Sequence, residues 1–376
     1  MEIKYDAAVY IGRFQPTHKA HISIMKQGLD ITNHLIIALG TQRSAQNLKN
    51  PWSVEQRISM IVSELGFKKY DDDDSNHLFL NDDTYLFEKY DENLKVRKWL
   101  VFVIVKDYLY NDNNWIAELQ QKVKGGINCI LNTKTPSIIL IGAQKDKSSY
   151  YLDLFPQWDK KMFDLENYYD NLPTSSTRIR DWYFAGGLDV IKTELPESVY
   201  FKLKEQQNTE WFKILSEENK YYIDYQKQFS NTPFPVIFTT TDVVLVKSGH
   251  VLLVRRKAKP GVNLLALPGG FLNEKEWLVD CALRELKEET RIKVDRKVLK
   301  EHIVEKREFD HPERSLRGRS ITYAYYIKLP DGGELPEVKG GDDARAALWM
   351  PIGDLALHEK EFFEDHLHII THFINR

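Results

Sequence analysis

The sequence predicts two α/β domains joined by a helical connector, the first built on a parallel sheet with helices on both sides and the second on a mixed sheet flanked by helices. Three observations predict this. Short Val- and Ile-rich runs at 6–11, 34–40, 99–105 and 137–142 alternate with helical patterns at 17–29, 53–64 and 114–124, the alternation of a parallel sheet whose strands are buried on both faces. Strand patterns at 236–246, 251–256, 264–267, 298–306 and 320–329 then flank one acidic helix, with a closing helical stretch from Glu361 to Ile374. Finally, 376 residues suffice for two domains, each with its own core. The expected boundaries are 1–185, 186–230 and 231–376.

Composition narrows the function classes. Charged residues are 28% and hydrophobic residues 42% of the chain, and the net charge of −3 gives no global basic field to recruit nucleic acid. No eighteen-residue apolar run occurs, and MEIKYDAAVY enters a strand pattern without the regions of a signal peptide. A cytoplasmic protein with no membrane span is expected. Cys129 and Cys281 stand far apart in apolar contexts and read as free buried thiols rather than a disulfide or zinc site.

The first strand, 6–11, ends in GRFQPTHKAH, residues 12–21. Gly12 permits a tight exit, Pro16 suits a first helical turn, and His18 and His21, three apart, share a helical face. Arg13, the helix start and two imidazoles would together make an anion site, the competing reading of a lone His-x-x-His being a structural or metal-ligand pair. No third ligand stands near, so zinc is not expected. At the far end of the domain, Thr174-Ser175-Ser176-Thr177-Arg178-Ile179-Arg180 puts hydroxyls at a helix start with Arg180 one turn in. That is either a second phosphate cradle or a Ser/Thr-rich cap.

Both stretches resemble the nucleotidyltransferase family with a His-x-Gly-His signature, and GRFQP resembles its nicotinamide mononucleotide (NMN) adenylyltransferase branch. Ala20 stands where that family often has glycine, and 174–180 is similar to its ISSTxIR motif with Thr174 for the first Ile. NPWSVEQR (50–57), KDYLYNDNNW (106–115) and GAQKDKSSYYLDLFPQW (142–158) resemble the branch's segments after the second, third and fourth strands. The resemblance implies a Rossmann-like domain that joins NMN to ATP, giving NAD and pyrophosphate. It implies that His18, His21, Arg13 and Arg180 hold the triphosphate with magnesium, since this chemistry needs positioning and charge neutralisation rather than a protein nucleophile. It sets Gly12, Phe14, Trp52, Arg57, Asp107, Tyr108, Trp115, Gly142, Ser176 and Thr177 around ATP and NMN. Trp52 and Trp115 each either stack on the pyridinium ring or pack as core or rim residues.

Residues 68–98 carry an acidic run where this resemblance lapses. They read as a metal-binding loop or lid or, preferably, as a solvated surface insertion. From Gly186 to Phe229 the pattern is helical, with Pro196 as a first-turn residue and Trp211, Phe212, Leu215, Tyr222 and Tyr225 as an apolar face that packs on a domain. NTPFP at 231–235 marks the boundary.

The second domain is organised by the turn Pro268-Gly269-Gly270 and a helix expected from Glu276 to Thr290. Leu278, Cys281 and Ala282 form a buried stripe that continues onto Glu285 and Glu289, so acids stand where core residues are expected. Like charges at i, i+4 are unfavourable, and a divalent cation reverses that sign; hard oxygen donors without nearby Cys or His suit magnesium or manganese. On charge alone, a solvated helix face is the competing reading.

The spacing resembles the Nudix box, G-x5-E-x7-R-E-U-x-E-E-x-G-U with U apolar, through Gly270, Glu276, Arg284, Glu285, Leu286, Glu288, Glu289 and Ile292, with Arg291 in place of the last glycine. The glycine would suit a C-cap of positive φ, so Arg291 bears on the loop. The resemblance implies an α/β/α sandwich in which Glu285 and Glu289 are principal metal ligands, Glu288 an auxiliary one, and Glu276 with Arg284 a structural ion pair. FDHPERSLRGRSIT, 309–322, is similar to the Nudix branch acting on ADP-ribose, which also occurs fused to this adenylyltransferase. Arg255, Gly270, Arg317 and Arg319 are accordingly expected to bind ADP-ribose, with Arg314 a further candidate for its phosphates; a small nucleic-acid patch is the competing reading of Arg314, Arg317 and Arg319. Glu337, Asp342 and Asp343 are candidates for a general base that stays unassigned.

The implied function is a bifunctional enzyme acting on small-molecule nucleotides, with ATP, NMN and ADP-ribose as substrates, no nucleic-acid partner, and oligomeric state open. One alternative is an adenylyltransferase whose Nudix domain only senses ADP-ribose, which Arg291 weakly favours and the intact Glu285 and Glu289 oppose. Another has the first domain adenylylate or cytidylylate a different phosphate.

Overall fold

The computed structural model describes residues 4–41, 44–70, 83–143, 151–163 and 174–374. The lysine-rich part of 142–158 and the run of aspartates at 71–74 fall outside them. The chain divides into two compact units, Met1–Gln42 with Leu48–Ser216, and Arg43–Asn47 with Glu217–Arg376.

In the first unit, β1 (Ala7–Gly12), α1 (Lys19–Ile31), β2 (His34–Leu39), α2 (Val54–Leu65), β3 (Lys68–Lys69), β4 (Thr84–Asp91), β5 (Val96–Ile104), α3 (Asp112–Asn128), β6 (Ile138–Gly142) and β7 (Asp159–Met162) follow in order. The sheet order is β3-β4-β5-β2-β1-β6-β7, with β5, β2, β1, β6 and β7 parallel. Strand alternation sorts the core into two layers. Ala8, Tyr10, Leu35 and Ile37 pack with Ile22 and Met25 of α1 and Ile58 and Ile61 of α2, while Val9, Ile36 and Val101 pack with Leu119, Val123 and Ile127 of α3. These are the strands and helices the apolar runs predict.

Three differences have physical causes. Helix α1 begins at Lys19 with His18 as its N-cap, so Pro16 precedes the helix. Gln15 is spent in a turn, its side chain bonding the Trp52 carbonyl and N–H at 2.9 and 3.0 Å. Second, β4 lies within the stretch read as a surface insertion. It pairs antiparallel with β5 and buries Leu86, the alternation being masked by its Glu, Lys and Asp. Third, β7 is four exposed residues, DKKM, with no apolar pattern to betray it.

Next come α4 (Ser176–Phe184), a 3-10 helix (Leu188–Glu194), α5 (Glu197–Gln206) and α6 (Glu210–Lys227), with Pro196 capping α5. The division between units falls inside α6. Trp211 and Phe212 pack with Phe184, at 6.0 and 5.7 Å between ring centroids.

The second unit contains β8 (Phe238–Lys247), β9 (His250–Arg256), β10 (Leu265–Ala266), β11 (Gly269–Phe271), α7 (Leu278–Thr290), α8 (Arg296–Glu301), β12 (Ile303–Phe309), β13 (Ser320–Lys328), β14 (Ala344–Pro351) and α9 (His366–Ile374). The sheet runs β10-β9-β8-β13-β12, with β11 on β8 and β14 on β9, and β8 parallel to β13. Ala282, Leu283 and Leu286 of α7 pack on Val243, Leu245 and Tyr325. The expected strand 298–306 is corrected at its start: Asp295 accepts from the Lys297 N–H at 2.7 Å and caps α8, and the strand begins at Ile303. No helix among the described residues is long and apolar enough to cross a membrane.

Candidate active sites

In the first unit the carboxyl ends of parallel neighbours β1, β2 and β5 gather Arg13, Thr41 and Asp107, the crevice where open α/β sheets bind ligands. The Gly40 N–H donates to the Gly12 carbonyl at 3.1 Å, and Thr41 Oγ1 donates to Asp107 Oδ2 at 2.6 Å. Phe14, at φ 52°, folds its ring back over the strand end, and a Cβ on Gly12 would lie 2.8 Å from its Cζ. Only glycine fits there. His18 is buried and its ring stacks on that of His21 with centroids 3.6 Å apart; His21 also meets the Phe14 edge at 4.9 Å.

The second motif closes on this turn. Ser175 caps α4 by accepting from the Arg178 N–H at 3.2 Å. Ser176 Oγ donates to the Pro16 carbonyl at 3.1 Å, and Arg180 donates to the Gln15 carbonyl at 2.7 Å and to Thr177 Oγ1 at 3.2 Å. The 12–21 and 174–180 turns, far apart in sequence, are thus in direct contact.

Two residues expected around ATP and NMN are placed otherwise. Trp52 is 2% exposed, donates through its indole N–H to Gln206 Oε1 at 2.8 Å and packs among Tyr183, Phe184 and Trp211. Its ring is core, because α4–α6 bring aromatic faces to both sides of it. Arg57 is fully buried and donates to the carbonyls of Arg13 and Gly40, each at 2.7 Å, of Thr41 at 3.1 Å and of Ser53 at 3.2 Å. Burial pushes its pKa down to about 10. It braces the strand-end loops from behind.

Trp115 is half-buried, edge-on to Tyr151 and Phe155. Tyr108 starts the turn into α3, its carbonyl accepting from the Asn111 N–H at 3.1 Å. Gly142 ends β6 and accepts from the Phe163 N–H at 2.8 Å. Gln15, inside the GRFQP motif but assigned no role from sequence, ties the 12–21 turn to the loop at Trp52.

In the second unit, the β11 turn backs directly onto α7. The Gly269 N–H donates to Glu289 Oε2 at 3.1 Å, and a Cβ on Gly270 would lie 2.5 Å from the Glu285 carboxyl carbon. Burial raises the Glu285 pKa and lifts that of Glu289 to about 8, each further strained by acid neighbours. Arg284 binds Glu276 through Nε at 2.8 Å and Nη2 at 2.9 Å, holding that carboxylate at about 2, and reaches Glu285 at 2.6 Å and Glu288 at 2.9 Å. Arg291 ends the helix at φ 49° with the left-handed geometry a glycine would supply. Its loop is kept by the next segment: the Lys339 N–H bonds the Thr290 carbonyl at 2.8 Å and the Gly341 N–H bonds that of Glu289 at 2.9 Å.

That segment puts Asp342 within electrostatic range of Glu285, whereas Glu337 pairs with Lys293 at 2.6 Å on the surface. Asp343 is exposed. Arg314 is buried in a two-pronged bond to Asp365, at 2.9 and 2.8 Å, and serves the fold rather than a phosphate. Arg319 turns to Asp310 at 3.7 Å, and Arg255 to Glu361 at 2.8 Å and the Asn263 carbonyl at 3.0 Å. The residue missed is Arg256. It lies within electrostatic range of Glu289 with Arg317, its guanidinium 4.2 Å from the Phe363 ring centroid, while Arg317 lies over Phe271 at 5.3 Å. Strand alternation separates Arg255 from Arg256, but only the register says which one faces α7.

The family model for a Cytidylyltransferase-like domain matches residues 9–181 and that for a NUDIX domain matches 238–373. The chain is 32% identical over 215 residues to the nicotinamide/nicotinic acid mononucleotide adenylyltransferase of Acinetobacter baylyi, covering 57% of this chain and 94% of that protein. It is 30% identical over 129 residues to the ADP-ribose pyrophosphatase of Methanocaldococcus jannaschii, covering 34% of this chain and 70% of that one. The crystal structure of a bifunctional NMN adenylyltransferase/ADP ribose pyrophosphatase from Francisella tularensis, complexed with AMP and a Mn ion, superposes with a TM-score of 0.81 at 30% identity over 99% of each chain. The chain belongs to this bifunctional NMN adenylyltransferase/ADP ribose pyrophosphatase family.

Membership in the bifunctional family makes metal the next question. Among the described residues no three His, Cys, Asp or Glu side chains converge enough to cage an ion. The donor chemistry nevertheless fits one: two desolvated carboxylates, raised in pKa by burial and by each other, are relieved by a hard cation that takes its remaining oxygens from water and phosphate. Arg284, which now holds Glu285 and Glu288, is the group such an ion would compete with.

Proposed function

We propose that the chain is a cytoplasmic bifunctional enzyme of NAD metabolism. Its first activity, assigned to 1–185, transfers the adenylyl group of ATP to NMN. Its second, assigned to 231–376 with 186–230 as connector, hydrolyses ADP-ribose to AMP and ribose 5-phosphate. Small-molecule nucleotides, not nucleic acid, are its partners.

What supports the first activity is the contact of Ser176 and Arg180 with the Gln15-Pro16 turn, which brings two cationic motifs to one strand end. Arg13 and Arg180, with the positive end of the α1 dipole, hold the triphosphate. An NMN phosphate oxygen attacks the α-phosphorus in line, the bond to the β-phosphate oxygen breaks, and pyrophosphate leaves. His18 and His21 donate hydrogen bonds to the charge that builds on the α-phosphoryl oxygens.

What supports the second is the seating of Glu285 and Glu289 against the Gly269-Gly270 turn. Magnesium, when bound by these two acids with Glu288 as auxiliary, supplies an activated water and neutralises the diphosphate. Arg256 and Arg317 grip the diphosphate, and the Glu276–Arg284 pair holds the entry to α7. The sensor alternative drew on Arg291, and that residue keeps the helix cap.

The test is a product assay of the intact chain on NMN plus ATP and, separately, on ADP-ribose. His21→Ala should lower NAD formation by about 10²–10³-fold, and Glu289→Gln should abolish ADP-ribose hydrolysis, each sparing the other activity. NAD formation within twofold of normal in His21→Ala refutes the first assignment, and undiminished hydrolysis in Glu289→Gln refutes the second.

A further inference from the structure

The NUDIX match begins at residue 238, yet the second half of α6, which ends eleven residues earlier, is fastened to two loops of that unit. Glu217 Oε2 accepts from Lys259 Nζ at 2.7 Å and Glu218 Oε1 accepts from the Gly261 N–H at 2.6 Å. Two turns further along the helix, Gln226 Nε2 donates to the Leu316 carbonyl at 2.8 Å. Each fastened loop controls one arginine. Pro260, between the two gripped residues, accepts from Arg256 Nε at 2.8 Å. Gly261 presses on Phe363, the ring under Arg256, so closely that a Cβ would come within 2.4 Å of it. Arg317 directly follows Leu316 and lies 4.0 Å from Glu364.

Arg256 and Arg317 repel one another, and burial worsens the repulsion. Left to themselves, the loops would relax by moving the guanidiniums apart, and a substrate would have to bring them back. Buried Tyr222, on the same helix, and Glu364 give both cations partly negative neighbours. Order imposed before binding is not lost again when the ligand arrives.

We propose that residues 217–227 of α6 are a positioning element of the second site, holding the 259–261 and 316–317 loops so that Arg256 and Arg317 are spaced for the diphosphate of a nucleoside diphosphate sugar. This rests on the reading of that site as an ADP-ribose site. A fragment beginning at residue 231 lacks all three tethers, so the NUDIX match alone does not delimit the functional unit.

The experiment compares the full chain with Glu218→Ala, Glu218→Gln and the double variant Glu218→Ala/Gln226→Ala. It measures KM and kcat for ADP-ribose, ADP-ribose affinity by calorimetry in the presence of a chelator, and NAD synthesis as a check of folding. The double variant should raise KM and weaken binding by about tenfold with kcat within about twofold, while Glu218→Gln, which keeps an acceptor for the Gly261 N–H, stays near normal. Unchanged KM and affinity in the double variant overturn the proposal, as does an equal defect in Glu218→Gln and Glu218→Ala. Should the double variant fail to fold, the two single variants decide. If the unaltered chain binds ADP-ribose without hydrolysing it, the hydrolase reading falls and the affinities still judge the helix; if it does not bind ADP-ribose, both fall.

Discussion

Gly270 and Glu285 touch with no room between them: a Cβ on the glycine would lie 2.5 Å from both the carboxyl carbon and Oε1 of the glutamate. The turn therefore shapes where that carboxylate can stand, and the neighbouring Gly269 N–H does the same for Glu289. Gly270→Ala should displace Glu285 and lower ADP-ribose hydrolysis by about 10²-fold, with NAD synthesis unchanged. Steady-state rates of both reactions on the same preparation check this, and equal hydrolysis would show that the carboxylate has slack.

Arg57 separates bracing from binding. Its guanidinium is buried and satisfies four carbonyls of the loops that carry Arg13, Gly40 and Thr41. Arg57→Met strips the Arg13, Gly40 and Thr41 carbonyls of this donor, while that of Ser53 keeps the backbone N–H of residue 57, and each unsatisfied buried group costs about 1–3 kcal/mol. The first unit should lose stability, read as a lower thermal midpoint, and Arg57→Lys should restore it only in part because an ammonium lacks the planar fork. A raised KM for ATP at unchanged stability would make Arg57 a substrate contact after all.

Arg255 and Arg256 are consecutive and point to opposite sides of β9. Arg255→Ala breaks an ion pair to Glu361 that is about a third exposed on both sides, worth little in solvent. Arg256→Ala removes a guanidinium that interacts electrostatically with Glu289. Hydrolysis of ADP-ribose should therefore fall at least about tenfold for Arg256→Ala and stay within about twofold for Arg255→Ala. The reverse order would mean that the diphosphate lies on the Glu361 side.

This pair also marks the limit of what the sequence discloses. Elements with strong periodicity were legible, such as the buried strands of the first sheet, α1, α2 and the Nudix helix. The two motif clusters could be picked out by their resemblance to family motifs, where the residues alone left a Ser/Thr-rich cap and a solvated helix face as competing readings. Strand β7 was not legible, since all four of its residues are exposed, and neither was β4, whose alternation is masked by Glu, Lys and Asp. Orientation was the second loss. Trp52, Arg57, Arg314 and Arg255 all stand in motif-rich segments, but whether a side chain faces ligand or core depends on tertiary partners, here Gln206, the strand-end carbonyls, Asp365 and Glu361.

His366 gives the second unit a pH dependence that does not involve the acids of the Nudix helix. Its ring is buried, and Nδ1 accepts from the Leu267 N–H at 2.9 Å, which requires a lone pair on that nitrogen. Asp242, 3.9 Å away, with Asp365 and Glu364, favours the protonated ring, while Arg314 opposes it; burial outweighs the acids and the pKa is lowered. The folded state thus binds fewer protons than the unfolded one, whose histidine titrates near 6.5. Its stabilising contribution is complete above that value and is lost as the pH falls below it, at no more than about 1.4 kcal/mol per pH unit for one group. Urea unfolding of the intact chain at pH 7.5 and at pH 5.5 should show the later transition weakened on acidification if it belongs to the second unit. In His366→Gln, whose side-chain carbonyl can still accept from Leu267, that dependence should shrink. An equal loss in the variant would assign the acid sensitivity to other groups, among them the Asp365–Arg314 pair.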